Sequence, residues 1–132
     1  DKRLVFHDSS NKDEMLKMHI DTDKPTVLTS PSVGTGVSFD DDLARFQIIA
    51  KVPYPSLASQ KNKVRMSNNP DWYSYKTCSE LIQYYGRIIR SNEDYGDTLI
   101  IDGSFGDVMK YSSQFLPKWF QQAIKRVNTN NN

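Results

Sequence analysis

Cysteine is nearly missing from this chain: Cys78 stands alone among 132 residues. One thiol excludes an internal disulfide, a multi-cysteine zinc site and a self-contained iron–sulfur cluster. Histidine is almost as scarce, with His7 and His19 both in the N-terminal quarter, which argues against a histidine-based metal site. No apolar run approaches the roughly 18 residues of a membrane span, and the opening residues lack the order of a secretory signal. A net charge of +1 names no partner by itself. Aromatic residues, by contrast, make up 11% of the chain, and 37% is hydrophobic, enough for one core. The expectation is a single domain from a reducing, cytoplasmic compartment.

The near-zero charge hides an uneven distribution. Residues 1–42 carry net −4, residues 43–90 net +6 and residues 91–132 net −1. A basic centre between acidic flanks can hold a phosphate-bearing partner, or it can be an ordinary solvated surface.

Short apolar runs at residues 3–7, 25–29, 46–52 and 98–101 read as strands, and the third is apolar on both faces as a buried parallel strand would be. Helical spacing appears at 11–20, with Ser10 or Asn11 available as N-cap, near 57–66, over 71–90 and at 117–127. Pro53 and Pro55 stop the third strand, and 128–132 is a polar tail expected to be disordered. Strands alternating with helices predict an α/β domain with a mostly parallel sheet flanked by helices.

Two segments carry chemistry. Residues 30–38 (SPSVGTGVS) follow a predicted strand. There Gly34 and Gly36 let the backbone approach a ligand, and Ser30, Ser32, Thr35 and Ser38 offer hydroxyls. This is not a Walker A loop, since GxxxxGK[ST] occurs nowhere in the chain, and a structural turn fits the same composition. Residues 83–90 (QYYGRIIR) place Gln83, Arg87 and Arg90 on one face of the predicted helix, with Gly86 inside it. Neighbouring arginines repel, so either the helix C-terminal dipole or an anion gripped by both guanidinium groups holds them together.

The second segment resembles motif VI (QxxGRxxR) of superfamily 2 helicases. Its continuation SNEDYGDTLIID at 91–102 resembles the XPD/DinG-like branch. Residues 30–38 resemble motif V, FQIIAKVPYP at 46–55 the strand and Pro-aromatic-Pro that follow it, and LPKWF at 116–120 the closing helix. Two departures stand out. Thr35 and Ser38 occupy acidic positions of motif V, and Asp102-Gly103-Ser104-Phe105 replaces the family's Asp-x-Arg-Phe.

The resemblance implies a RecA-like helicase C-terminal lobe of the P-loop NTPase type, over residues 1–127. Its opening strand and motif IV are expected upstream of Asp1. It implies ATP and Mg²⁺ as cofactors, held mainly by a first RecA-like lobe that would also carry any iron–sulfur domain. Arg87 and Arg90, with Gln83, become the catalytic candidates, and Gly34, Thr35, Gly36, Ser38 and Gly86 the nucleotide-binding ones. Single-stranded DNA and the first lobe are the implied partners. Ser30 and Ser32 of the loop, with Lys51, Lys61, Lys63 and Arg65, would follow the strand, and Tyr54 could stack on a base. For these basic residues a solvated face is the alternative. The competing function is a stand-alone nucleic-acid-binding or interaction module without ATPase activity.

Overall fold

In the computed structural model, residues 3–31, 39, 41–89 and 93–127 are described. The chain opens with β1 (Leu4–Phe6), α1 (Lys12–Asp21) and β2 (Val27–Thr29). A 3₁₀ turn at Asp41–Leu43 leads into β3 (Phe46–Ile49), followed by α2 (Gln60–Asn68) and α3 (Pro70–Tyr85). Then come β4 (Asp97–Ile100), α4 (Phe105–Tyr111), a 3₁₀ turn at Ser113–Phe115 and α5 (Lys118–Ala123).

Both strand pairings are parallel, as the alternation of elements predicts. β1 lies beside β2 with Val5 opposite Leu28, and β3 beside β4 with Ile48 opposite Leu99. Each pair is joined through helices, α1 in the first and α2–α3 in the second, as parallel neighbours require. Among the described residues the two pairs form separate two-stranded sheets. β3 is not buried on both faces: Phe46 and Ile48 are 56% and 49% exposed, because helices cover only the side that carries Ile49.

The core lies between β3, α3, α4 and α5. Ile49, Val52, Cys78, Leu81, Val108, Leu116 and Phe120 are buried together. Leu81 is completely enclosed, and burying such a side chain contributes about 1.5–3 kcal/mol. Polar atoms at this seam are satisfied locally. The Thr77 hydroxyl donates to the Tyr73 carbonyl at 2.9 Å, and the Cys78 thiol points to the Ser112 carbonyl at 3.5 Å.

The helix ends explain where the sequence pattern overruns. Asn69 caps α3, its side chain accepting from the Trp72 N–H at 3.1 Å, and Pro70 sits in the first turn, where its missing N–H costs nothing. α3 stops at Tyr85 rather than running to residue 90. Gly86 is therefore a C-cap and not a mid-helix residue, and Arg87 lies in the turn beyond it, its N–H donating to the Tyr84 carbonyl at 3.1 Å. The turn is held by Ile88, which is buried against Gly96. α5 likewise ends at Ala123, with Ile124 extended and Val127 largely exposed, so the apolar pattern at 117–127 is helical for only half its length. Asn11 does precede α1, but its side chain accepts from the Asp8 N–H instead of capping the helix. α4 carries no pattern that the sequence reading picked out. No helix among the described residues is long and apolar enough to cross a membrane.

Candidate nucleotide and nucleic-acid site

Motif VI of the sequence reading begins in the last turn of α3 and continues past its cap. Gln83 is exposed on the helix, while Arg87 is half-buried in the following turn. The two do not share a helix face, because the helix has ended between them. A cation just beyond a helix C-terminus is favoured by the exposed carbonyls there. Its charge is felt by the Tyr84 hydroxyl, whose pKa is raised by burial and by Glu80 and lowered in part by Arg87.

The exit of the Gly/Ser loop meets this turn directly. The Phe39 N–H donates to the Arg87 carbonyl at 3.2 Å, and the buried Phe39 ring packs edge-on to His19 of α1 at 5.7 Å. His19 also pairs with the Thr26 hydroxyl at 2.6 Å, and burial lowers its pKa. Phe39 thus connects the β1–α1–β2 unit to the end of α3. At the start of the same loop, the Ser30 hydroxyl lies 2.5 Å from His7 Nε2. Ser32, Gly34, Thr35, Gly36 and Ser38, together with Arg90, lie outside the described residues.

One arginine outside the motifs organises the surroundings. Arg45, just ahead of β3, pairs with Asp42 at 2.9 Å and with Asp94 at 2.5 Å. It donates to the Tyr95 carbonyl and lies over the Tyr95 ring at 4.1 Å. The Asp94 side chain is only 2% exposed and that of Arg45 28%, so the carboxylate is enclosed while the guanidinium still reaches solvent, and the pair matters more than a fully exposed one. Gly96 completes the contact. A methyl group there would come within 2.9 Å of Ile88 Cδ1 and 3.2 Å of the Arg45 carbonyl oxygen, so a side chain would force the Ile88 tip or the Arg45 backbone to give way. Nothing in the spacing of Arg45 marks Asp94 or Tyr95 as its partners.

The basic residues lie at the other end of β3. Tyr54 stacks on Tyr73 with ring centres 5.9 Å apart, and Lys51, Lys61, Lys63 and Arg65 are all exposed. The turn under Tyr54 is tied down by Asp102, which accepts from the Val52 N–H at 2.8 Å and the Ser104 N–H at 3.0 Å. Those donors, Ser104 first, hold the Asp102 carboxyl below its ordinary pKa. Tyr54 and Arg65 meet the first turn of α3, at Tyr73 and Trp72, while Gln83 and Arg87 lie at its last turn and just beyond it. Among the described residues no cluster of three His, Cys, Asp or Glu side chains could hold a metal ion.

Parallel strand pairs crossed by helices make this an α/β lobe, and Phe39 ties its two halves together at the turn that carries Arg87. The chain belongs to the helicase C-terminal domain family, which matches residues 1–123. It is similar to a regulator of telomere elongation helicase 1 homolog of Caenorhabditis briggsae, 26% identical over 115 residues, covering 75% of this chain and 11% of that protein. It is also similar to the general transcription and DNA repair factor IIH helicase subunit XPD of Schizosaccharomyces pombe, 29% identical over 106 residues, covering 74% and 14%. A regulator of telomere elongation helicase 1 homolog of Aedes aegypti is 32% identical over 111 residues, covering 74% and 10%. These are XPD/DinG-like superfamily 2 helicases, and the chain spans about a tenth of their length.

Proposed function

We propose that this chain is the second motor lobe of an ATP-dependent DNA helicase, supplying motif V and the motif VI arginines for ATP hydrolysis coupled to movement along single-stranded DNA. The observation that carries the reading is the hydrogen bond from the Phe39 N–H to the Arg87 carbonyl, which joins the exit of the motif V loop to the motif VI turn. A shift of one of these segments is then felt by the other, as coupling between strand and nucleotide requires.

Gly86 and Arg87 would suit a phosphate-bearing group. Gly86 has φ −70° and ψ 8°, a conformation open to any residue, and a methyl there would make only ordinary contacts with the Ile82 and Gln83 carbonyls. The chain's own packing therefore does not demand glycine, and its bare surface would leave room for a phosphate beside Arg87. Arg87 would stabilise charge on the γ-phosphate oxygens, with Gln83 orienting the attacking water or a phosphate oxygen and Arg90 as the second cation. Gly34, Thr35, Gly36 and Ser38 would border the nucleotide, while Ser30 and Ser32 would face the DNA strand. ATP supplies the phosphoryl group transferred to water, and Mg²⁺ would be held mainly by the first lobe of the same protein. Lys51, Lys61, Lys63 and Arg65 would follow the DNA backbone.

The pure 132-residue chain is expected to hydrolyse no ATP, because it holds no Walker A loop. In the helicase that carries this lobe, Arg87→Ala or Arg90→Ala should slow hydrolysis by about 10³-fold, measured per folded molecule. ATPase activity in the isolated chain, or a mutant that unfolds but keeps its rate per folded molecule, overturns the assignment.

A further inference from the structure

A groove of about 420 Å³ runs between α3 and the Pro53–Pro55 segment, within the size range of small-molecule sites. Its floor is one stripe of α3. Trp72, Lys76, Glu80 and Tyr84 follow at intervals of four residues and so line up along the helix. Tyr54 and Arg65 form the opposite wall.

We propose that this groove is a stacking site for an unpaired base of single-stranded DNA. Trp72 and Tyr54 are its aromatic surfaces, and Lys61, Lys63 and Arg65 meet the adjoining phosphates. The inference rests on the reading of the lobe as a DNA-strand binder and adds to it the place where a base is held.

Three features favour this occupant. First, the aromatic surfaces are set in advance. Pro53 and Pro55 fix the backbone on either side of Tyr54, Asp102 anchors Val52 two residues earlier, and the Tyr54 ring lies nearly parallel to Tyr73, with 11° between planes. Tyr54 nonetheless keeps 40% of its surface exposed, and a surface already ordered loses little entropy on binding. Second, the Arg65 guanidinium sits 5.4 Å from the centre of the Trp72 ring. Arginine over indole is a surface on which any base can stack, whatever its sequence.

Third, the charge suits a polyanion. α2 carries Lys61, Lys63 and Arg65 and no acidic residue, and it buries none of its side chains. Glu80, the acid in the groove, is already paired with Lys76 at 2.7 Å. The surrounding cations would contact phosphates and the rings a base, a division of labour typical of sequence-indifferent strand binders.

Trp72 itself supplies the test. Trp119→Phe leaves Trp72 as the single tryptophan of the chain. Titrating this variant with oligothymidine of about eight nucleotides, a length within the usual site size, should quench the Trp72 fluorescence. Trp72→Ala and Tyr54→Ala should each weaken binding about tenfold, with the slope of log affinity against log salt unchanged, because stacking releases no counterions. Trp72→Phe should restore most of the loss. Replacing Lys61, Lys63 and Arg65 together by Ala should instead lower that slope by about two, at about 0.7 per phosphate contact. An abasic oligomer of equal length should bind the unaltered chain about tenfold more weakly than oligothymidine, and thymidine monophosphate should not compete at the same nucleotide concentration. Equal affinity for the abasic oligomer, or binding with a salt slope but no change at Trp72, overturns the stacking site while leaving strand binding intact. Effective competition by the mononucleotide would make the groove a free-nucleotide site and overturn it as well. No binding of any oligomer overturns the strand-binding reading itself.

Discussion

The β1–α1–β2 unit and the β3–β4 unit share one plan, a parallel strand pair joined through helices, yet they are finished to different degrees. In the second, seven buried side chains from β3, the turn after it, α3, α4 and the chain around α5 form one cluster. In the first, Val5 and Leu16 are buried, while Leu4, Phe6, Met18, Ile20 and Val27 remain exposed. Equal topology does not give equal stability; what matters is how much apolar surface later elements arrive to cover. The candidate catalytic turn stands where the two units meet, with Arg87 reached from the first through Phe39.

That contrast can be broken by paired substitutions. Leu81→Ala should cost about 3–5 kcal/mol in urea unfolding, as a filled site loses its methylenes, while Leu16→Ala should cost about 2 kcal/mol. Equal costs would mean that the thin unit is as well supported as the thick one. Gly96→Ala comes next, at about 1–3 kcal/mol, since the new methyl must displace Ile88 or the Arg45 backbone. Native-state hydrogen exchange sharpens the same point without mutation. Amides of β1 and β2 should open at lower free energy than those of β3 and β4.

The smallest effects are those of pH, and they fall in different windows for the two units. Burial lowers the His19 pKa, so the unfolded chain takes up the proton more readily than the folded one. Its contribution is therefore complete above about pH 6.5 and declines as pH falls below that value. Asp102 is held low by the Ser104 and Val52 amides, so its contribution persists down to about pH 4 and is lost on further acidification. Melting curves from pH 8 to 3 should show an early decline removed by His19→Gln and a later one reduced by Asp102→Asn.

Much of this architecture is visible in the residues themselves. Three of the four strands lie within the apolar runs, the fourth starts at Asp97, one residue ahead of its run, and the helical spacing over 71–90 covers most of α3. The end of α3 is hidden, because Ile88 and Ile89 continue a helical rhythm although Ile88 is buried by a tertiary contact with Gly96. Periodicity reports that a side chain is buried, not which element buries it. The same limit hides Arg45. Its partners Asp94 and Tyr95 lie about fifty residues away, and no local spacing announces an ion pair closed by the fold. Tyr54 and Arg65 are recognisable as binding types, but Trp72 reads as one more apolar position until α3 and the Pro53–Pro55 segment are brought together.

Cys78, the sole thiol, is wholly enclosed beneath Ser112, and burial raises its pKa. An alkylating reagent can reach it only in the moments when α3 and α4 part. The native chain thus contains its own clock: the rate at which Cys78 becomes modified counts openings of the major core and ignores fraying of β1 and β2. Labelling timed in the presence and absence of an oligonucleotide would convert that count into a binding curve, with no dye or tag attached to the protein.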